Sequence, residues 1–367
     1  MSDTHSFSTL EMTKKKKVLL VGLRAFGDMV LTQPAISAIR DSCPDAEIDY
    51  VMEAPYVPLF LDEPDLTRVI PLPRRKKADG ESSWSHYRSY ASFLSNIRKA
   101  SYDVAVDLFS RGPRSRSLIL ASGAERRVGT SDHRNPVVDR LVYTDQVVVP
   151  NHLTHLSDQI LHVMSRLGFK NKRTMPRFTV TNENEAAARQ ILGAFGDHFW
   201  GSYLILFPGS GALEKNWPAD RYVALSLELL KNGTPLLVLG GEKDAAAVRA
   251  VVSGVESSGA VDRSRFMGII QNDLKALKGI ISHSAGAIGN DSGPLHLTQA
   301  IGKRALVLFG PGDHVSYRPF WGGMVRQGLT CSPCQSFSSS CPDNQCMKSI
   351  DVKTVLLAWD ELGIILR

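Results

Sequence analysis

Short apolar runs that end on a small residue, each followed by a loop and then a segment of helical period, recur through both halves of this sequence. Residues 18–21 are apolar and lead to Gly22; after a loop, Val30, Leu31, Pro34, Ala35, Ala38 and Ile39 recur at helical spacing within residues 29–40. Residues 47–52 and 69–72 read as further strands, 87–99 as a helix, 102–109 as another strand and 153–167 as a long helix. From Tyr203 the pattern restarts. A strand at 203–207 leads to a glycine-rich loop, then to a helix at 218–231 that Asn232 and Gly233 stop, and to a strand at 235–239. Helices at 245–252, 274–284 and 294–301 alternate with strands at 285–289 and 305–309. This alternation predicts α/β architecture with parallel sheets, and its restart predicts two doubly wound, Rossmann-like domains facing each other across an interdomain cleft.

A length of 367 residues accommodates two such domains. The reading divides the chain into a disordered basic leader (1–16), an N-terminal domain (17–190), a C-terminal domain (191–350) and a final helix (351–367) expected to cross back to the first domain. No apolar run approaches the roughly 20 residues that span a bilayer. The N-terminus, Met1 to Lys17, ends in Lys14, Lys15, Lys16 and Lys17 but has neither the apolar core nor the cleavage site of a secretory signal, so the chain reads as cytoplasmic. A net charge of +6 suits a phosphate-bearing ligand or an anionic membrane face and is too small for a dedicated nucleic-acid binder. A second basic cluster, Arg74, Arg75, Lys76 and Lys77, lies in a polar loop and reads as a solvated patch.

In parallel sheets, ligands bind beyond the carboxyl ends of strands, which singles out three loops. The first, Gly22-Leu23-Arg24-Ala25-Phe26-Gly27-Asp28, has neither dinucleotide-fingerprint nor P-loop spacing, and sets a carboxylate at a helix start. Asp28 is either a helix cap or a general base. The second, Pro208 to Pro218, joins Gly209, Ser210 and Gly211 to Lys215, Asn216 and Trp217; small residues beside a cation suit a phosphate, although a plain surface loop fits as well. In the third, Asn290-Asp291-Ser292-Gly293-Pro294-Leu295-His296, the amides of Ser292 and Gly293 head a helix and His296 lies in its first turn. Asp291 either binds a sugar hydroxyl or caps, and a lone histidine there is commonly structural. Two anion-friendly loops in one half and a carboxylate in the other fit transfer from a nucleotide donor to an acceptor hydroxyl.

At these residues the sequence resembles glycosyltransferase family 9, the heptosyltransferases, over about residues 17–365. The carriers are Gly27-Asp28 through Pro34; the Pro-Gly-Ser loop running to Lys215-Asn216-Trp217-Pro218; and Asn290 through Leu297, with Tyr102-Asp103, Asp107-Leu108, Ser122-Gly123-Ala124, Arg126-Arg127-Val128-Gly129 and Cys346-Met347 in support. The resemblance implies a GT-B fold and an inverting, metal-independent transfer of heptose from ADP-heptose to the lipopolysaccharide inner core. It implies a lipid-linked oligosaccharide acceptor, bound mainly by the N-terminal domain, and contact with the inner membrane. It makes Asp28 the base and Lys215 the neutraliser of the leaving diphosphate; Ser210 and Gly211 line that site, and Asp291, Ser292, Gly293 and His296 bind donor phosphate or sugar. One departure is Arg24-Ala25-Phe26, where the family commonly carries serines and a leucine, which bears on the acceptor. For the ribose, Glu242 and Asp244 are both candidates.

Cys331, Cys334, Cys341 and Cys346 form a C-x2-C-x6-C-x4-C pattern, and Cys43 stands apart. A structural metal, paired cysteines and plain thiols are all compatible with that spacing, which is not a standard zinc pattern. Rival functions are transfer of another sugar or to a non-core acceptor, nucleotide-sugar binding without catalysis, and a nicotinamide dehydrogenase, the last disfavoured by the missing fingerprint.

Overall fold

The computed structural model describes residues 15–73, 83–130, 136–170, 172, 174–193, 196, 200–259, 262, 264–334, 341 and 343–365. Most of the leader and the basic loop at 74–77 lie outside the described residues; Lys15, at the leader's end, pairs with Glu47 at 2.7 Å. The chain divides into two compact units, Met1–Pro176 and Arg177–Arg367.

The first unit runs β1 (Lys17–Gly22), α1 (Phe26–Leu31), α2 (Gln33–Ser42), β2 (Glu47–Glu53), α3 (Val57–Phe60), β3 (Arg68–Leu72), α4 (Ser83–Lys99), β4 (Val104–Asp107), α5 (Pro113–Ser122), β5 (Arg126–Thr130), α6 (Pro136–Val142), β6 (Asp145–Val147) and α7 (Leu156–Arg166). Its six strands are parallel in the order β3-β2-β1-β4-β5-β6. β1 is central and packs both its faces, which is why it reads as an unbroken apolar run. Leu19, Val21, Val51, Leu118, Ile119 and Tyr143 share one core cluster. The sequence reading passes over β5 and β6. These outer strands are short and charged, and Arg126 on one meets Asp145 on the other at 2.8 Å, so they lack an apolar signature.

The second unit runs α8 (Asn182–Leu192), β7 (Leu204–Phe207), α9 (Ala219–Lys231), β8 (Leu236–Gly240), α10 (Ala245–Ser257), β9 (Phe266–Ile270), α11 (Leu274–Ser282), β10 (Gly286–Asn290), α12 (Gly293–Ala300), β11 (Ala305–Phe309), β12 (Gly323–Arg326), α13 (Gln345–Lys348) and α14 (Val352–Ile365). Its strands are again all parallel, in the order β12-β11-β10-β7-β8-β9. Counted from β7, this is the same winding as in the first unit. In each sheet the order reverses beside the first strand, between β1 and β4 and between β7 and β10, and ligands of such folds bind outside the strand ends at that reversal.

Two boundaries differ from the sequence reading. The division falls after Pro176, not after 190, because α8 belongs with the second unit. Its start is fixed by Thr181, whose side chain caps the helix in a reciprocal pair with Asn184, and it packs so closely on α11 that a Cβ on Gly279 would run into the Asn184 carbonyl. Nor does the last helix leave its unit: α14 packs on β12 and α9, with Trp359 and Leu362 in the core and Arg304 over the Trp359 ring at 4.5 Å. Gly279→Val is expected to lower unfolding stability by about 2 kcal/mol in urea titration, because neither backbone can yield without parting the helices.

Candidate active site

At the reversal in the first sheet, the loop leaving β1 meets the loop leaving β4. Leu108 N–H donates to the Val21 carbonyl (2.9 Å), Leu23 N–H to Ser110 Oγ (2.8 Å) and Ser110 N–H to Asp107 Oδ1 (2.8 Å). Asp107 is buried at the end of β4 and takes a hydrogen bond from the Tyr143 hydroxyl at 2.8 Å. Burial pushes its carboxyl above the usual carboxylate range, against hydrogen bonds from Tyr143, Ser115, Ser110 and Arg111 that pull it down. Phe109 and Arg111 stand in left-handed backbone at φ 62° and 50°, conformations costly for side-chain-bearing residues and enriched at working sites.

Asp28 sits in the first turn of α1, but it is not the cap. The position before the helix is Ala25, in extended backbone without a side-chain cap. Asp28 is thus a first-turn carboxylate whose side chain is 11% exposed. Arg24 Nε lies 3.0 Å from Asp28 Oδ2, a close ion pair rather than an aligned hydrogen bond, and Arg24 Nη1 donates to the Phe109 carbonyl at 2.8 Å. Tyr50, fully buried on β2, hydrogen-bonds with Thr32 at 2.7 Å; burial first, and then the Asp28 charge, raise its hydroxyl pKa, so it stays protonated. The sequence reading missed the Phe109–Arg111 loop because it carried the β4 strand through Phe109. The signal was the polar step Ser110-Arg111-Gly112.

At the reversal in the second sheet, Asn290 ties the two loops together. Its Oδ1 accepts from Trp217 N–H (3.0 Å) and the Tyr222 hydroxyl (3.0 Å), and its Nδ2 donates to the Pro208 carbonyl (2.8 Å). Trp217, which the sequence reading counted beside the cation, is instead core: it is 2% exposed and its indole N–H donates to the Ile350 carbonyl at 2.9 Å. Ser210 also serves the loop, its hydroxyl lying 2.6 Å from the Ala212 carbonyl and 2.7 Å from Asn216 Oδ1. Gly211 has no neighbour within 4 Å of where a Cβ would stand, among the described residues, so the backbone there is open to a ligand.

Lys215 and Asp291 come together: Nζ lies 2.5 Å from Oδ2, with side chains 22% and 6% exposed. A carboxylate does not bind a phosphate anion directly. Asp291 is thus placed to orient the ammonium of Lys215, a cation with up to three donors, rather than to meet a phosphate itself. Ser292 precedes α12 in extended backbone, and its hydroxyl is buried with no hydrogen-bond partner among the described residues. Gly293 opens the helix with Pro294 behind it, and His296 is buried with its ring 6.2 Å from that of Tyr317. Of the two ribose candidates, Asp244 turns back on its own loop, taking the Gly241 amide at 3.3 Å, and burial raises its carboxyl pKa; Glu242 is exposed.

Burial first, and then the neighbouring Cys341 and Cys331, push the Cys346 thiol up. All five cysteines are free thiols, and among the described residues no three His, Cys, Asp or Glu side chains are grouped to hold a metal.

The sequence model of glycosyltransferase family 9 (heptosyltransferase) matches residues 90–345. The chain belongs to glycosyltransferase family 9. This glycosyltransferase is 25% identical over 320 residues to lipopolysaccharide heptosyltransferase 3 of Escherichia coli K12, covering 83% of this chain and 88% of that protein. Its fold is that of a family 9 glycosyltransferase from Veillonella parvula, with a TM-score of 0.77 at 20% identity over 96% of this chain and 98% of the other. The ADP-heptose lipopolysaccharide heptosyltransferase II of E. coli superposes with a TM-score of 0.73 at 19% identity, over 94% and 98%. The fold class is therefore GT-B, as the sequence reading expects.

Proposed function

We propose that this glycosyltransferase moves heptose from ADP-heptose to a hydroxyl of the lipopolysaccharide inner core, with inversion at the anomeric carbon. The relatives named above carry that donor or that acceptor in their names. The observation that carries the reading here is the second unit's reversal point, where an oriented ammonium, Lys215, and a buried hydroxyl, Ser292, with no partner among the described residues, adjoin the start of α12. In this reading Asp28 takes the proton of the acceptor hydroxyl as its oxygen attacks the anomeric carbon from the face opposite the diphosphate. The carbon–oxygen bond to ADP breaks, and Lys215 with the amides of Ser292 and Gly293 receives the leaving charge. Ser210, Gly211, Asp291 and His296 line the donor side. Lys215 fills the role that a divalent cation fills in many transferases, so the reaction needs no added metal or cofactor.

The acceptor is lipid-linked, and the first unit has a surface suited to a headgroup layer: Trp84 and Tyr87 on α4 are 74% and 64% exposed, next to Arg88. Among the described residues no helix is long and apolar enough to cross a membrane. The reading places the enzyme in the cytoplasm, in peripheral contact with the inner membrane.

Calorimetric titration with ADP-heptose, ADP, UDP and NAD tests the donor side. ADP and ADP-heptose should bind, and EDTA should leave both affinities unchanged. Preference for UDP would change the donor, loss of binding in EDTA would refute metal independence, and binding of NAD alone would overturn the reading.

A further inference from the structure

We propose that Arg24 is a positioning residue for the base, holding the Asp28 carboxylate in one orientation from an anchor on the β4–α5 loop. The inference rests on Asp28 being that base. Arg24 lies in the loop before α1, so its contact with Asp28 is not one of the exposed pairs along a helix face that contribute little. One end of the guanidinium meets Asp28 Oδ2 at 3.0 Å, and the other donates to the Phe109 carbonyl at 2.8 Å. The planar fork of arginine spans both partners at once, which a lysine ammonium cannot do with the same geometry.

The anchor is itself fixed. Phe109 is held at φ 62°, its N–H donating to the Asp107 carbonyl at 2.9 Å, and the next amide, Ser110 N–H, donates to the Asp107 carboxylate at 2.8 Å. Asp107 in turn is held by the Tyr143 hydroxyl, and Ser110 Oγ takes the Leu23 amide from the loop that carries Arg24. A continuous set of contacts thus leads from the buried end of β4 to the candidate base. A carboxylate rotates broadly about its last torsion unless something grips it. In a transfer with an oxocarbenium-like transition state, the base must face the incoming hydroxyl as the bond forms, and orientation is what Arg24 supplies.

The test is steady-state transfer from ADP-heptose by the full chain, with Arg24→Gln, Arg24→Lys, Arg24→Ala, Asp28→Asn and the double variant Arg24→Gln/Asp28→Asn. Arg24→Gln is expected to lower kcat by about 100-fold with donor and acceptor KM nearly unchanged. Arg24→Lys should recover little of that loss. Added guanidinium at millimolar concentration should restore part of the Arg24→Ala turnover without shifting its melting temperature, which separates positioning from folding. In the Asp28→Asn background, Arg24→Gln should cost nothing further, since there is no base left to orient. Wild-type kcat in Arg24→Gln, an equal loss in the Asp28→Asn background, or loss confined to KM would each overturn the role of Arg24 while leaving Asp28 as base. Wild-type turnover in Asp28→Asn would overturn both.

Discussion

Asp28→Asn is expected to cut kcat by about 10³-fold while ADP-heptose binds with near wild-type affinity. The substitution keeps the volume and one carbonyl oxygen of a side chain that is only 11% exposed, so the fold should survive it. What it removes is the ability to accept the acceptor's proton. Because the position before α1 is Ala25, no side-chain cap is lost in the exchange, and an unchanged melting temperature would show that reduced turnover does not come from unravelling of α1. Single-turnover kinetics with saturating donor, beside calorimetry with ADP-heptose, separates the two quantities. Retained turnover would remove Asp28 from the chemistry, and lost donor affinity would relocate it to binding.

Lys215→Ala is expected to weaken ADP-heptose binding by about tenfold and to lower kcat by a further 10²-fold or so, because charge on the leaving diphosphate grows toward the transition state. The substitution also strands Asp291, 6% exposed, without its ammonium. Lys215→Ala/Asp291→Asn and Asp291→Asn alone therefore belong in the same experiment: the double variant relieves the stranded carboxylate, and affinity lost beyond that of Asp291→Asn belongs to the cation. If the double variant binds ADP-heptose like the wild type, Lys215 neutralises Asp291 alone and has no share in the phosphate.

β1 and β7, in the middle of the two sheets, were legible because each buries both faces and so reads as an unbroken apolar run; residues 18–21 and 203–207 needed no further context. β5, β6, β9 and β12 were not: β5 and β6 carry an arginine and an aspartate that pair across the two strands, and β9 and β12 are short, glycine-containing edge strands. α8 was hidden by its polar first turn, Asn182 to Glu185, which has the composition of a linker until α11 is packed against it. At the site, loop composition located Asp28, Lys215 and the start of α12. It could not show that Trp217 is core or that Asp291 grips Lys215, because those facts depend on residues 70 or more positions apart, nor that Ser210 is engaged within its own loop, which depends on how that loop turns. Arg24 stood out in the sequence as a departure from the family pattern, while its anchor on Phe109 is a meeting of two loops that only the closed sheet creates.

The shared winding of the two sheets has a consequence for how the chain acquires its working loops during synthesis. In each unit the strand pair that frames the reversal joins segments more than 80 residues apart, β1 with β4 and β7 with β10, as the bonds from Lys17 to Asp103 and from Asn290 to Pro208 mark out. Such long-range closure comes late, after hairpin-range and helix-range contacts have formed. A nascent chain that ends before β4 carries β1 with one edge bare and with no Phe109 carbonyl to anchor Arg24. The candidate active-site loops thus take shape only once β4 and β10 have joined their sheets, and slow closure of these central pairs leaves an apolar strand edge exposed to aggregation.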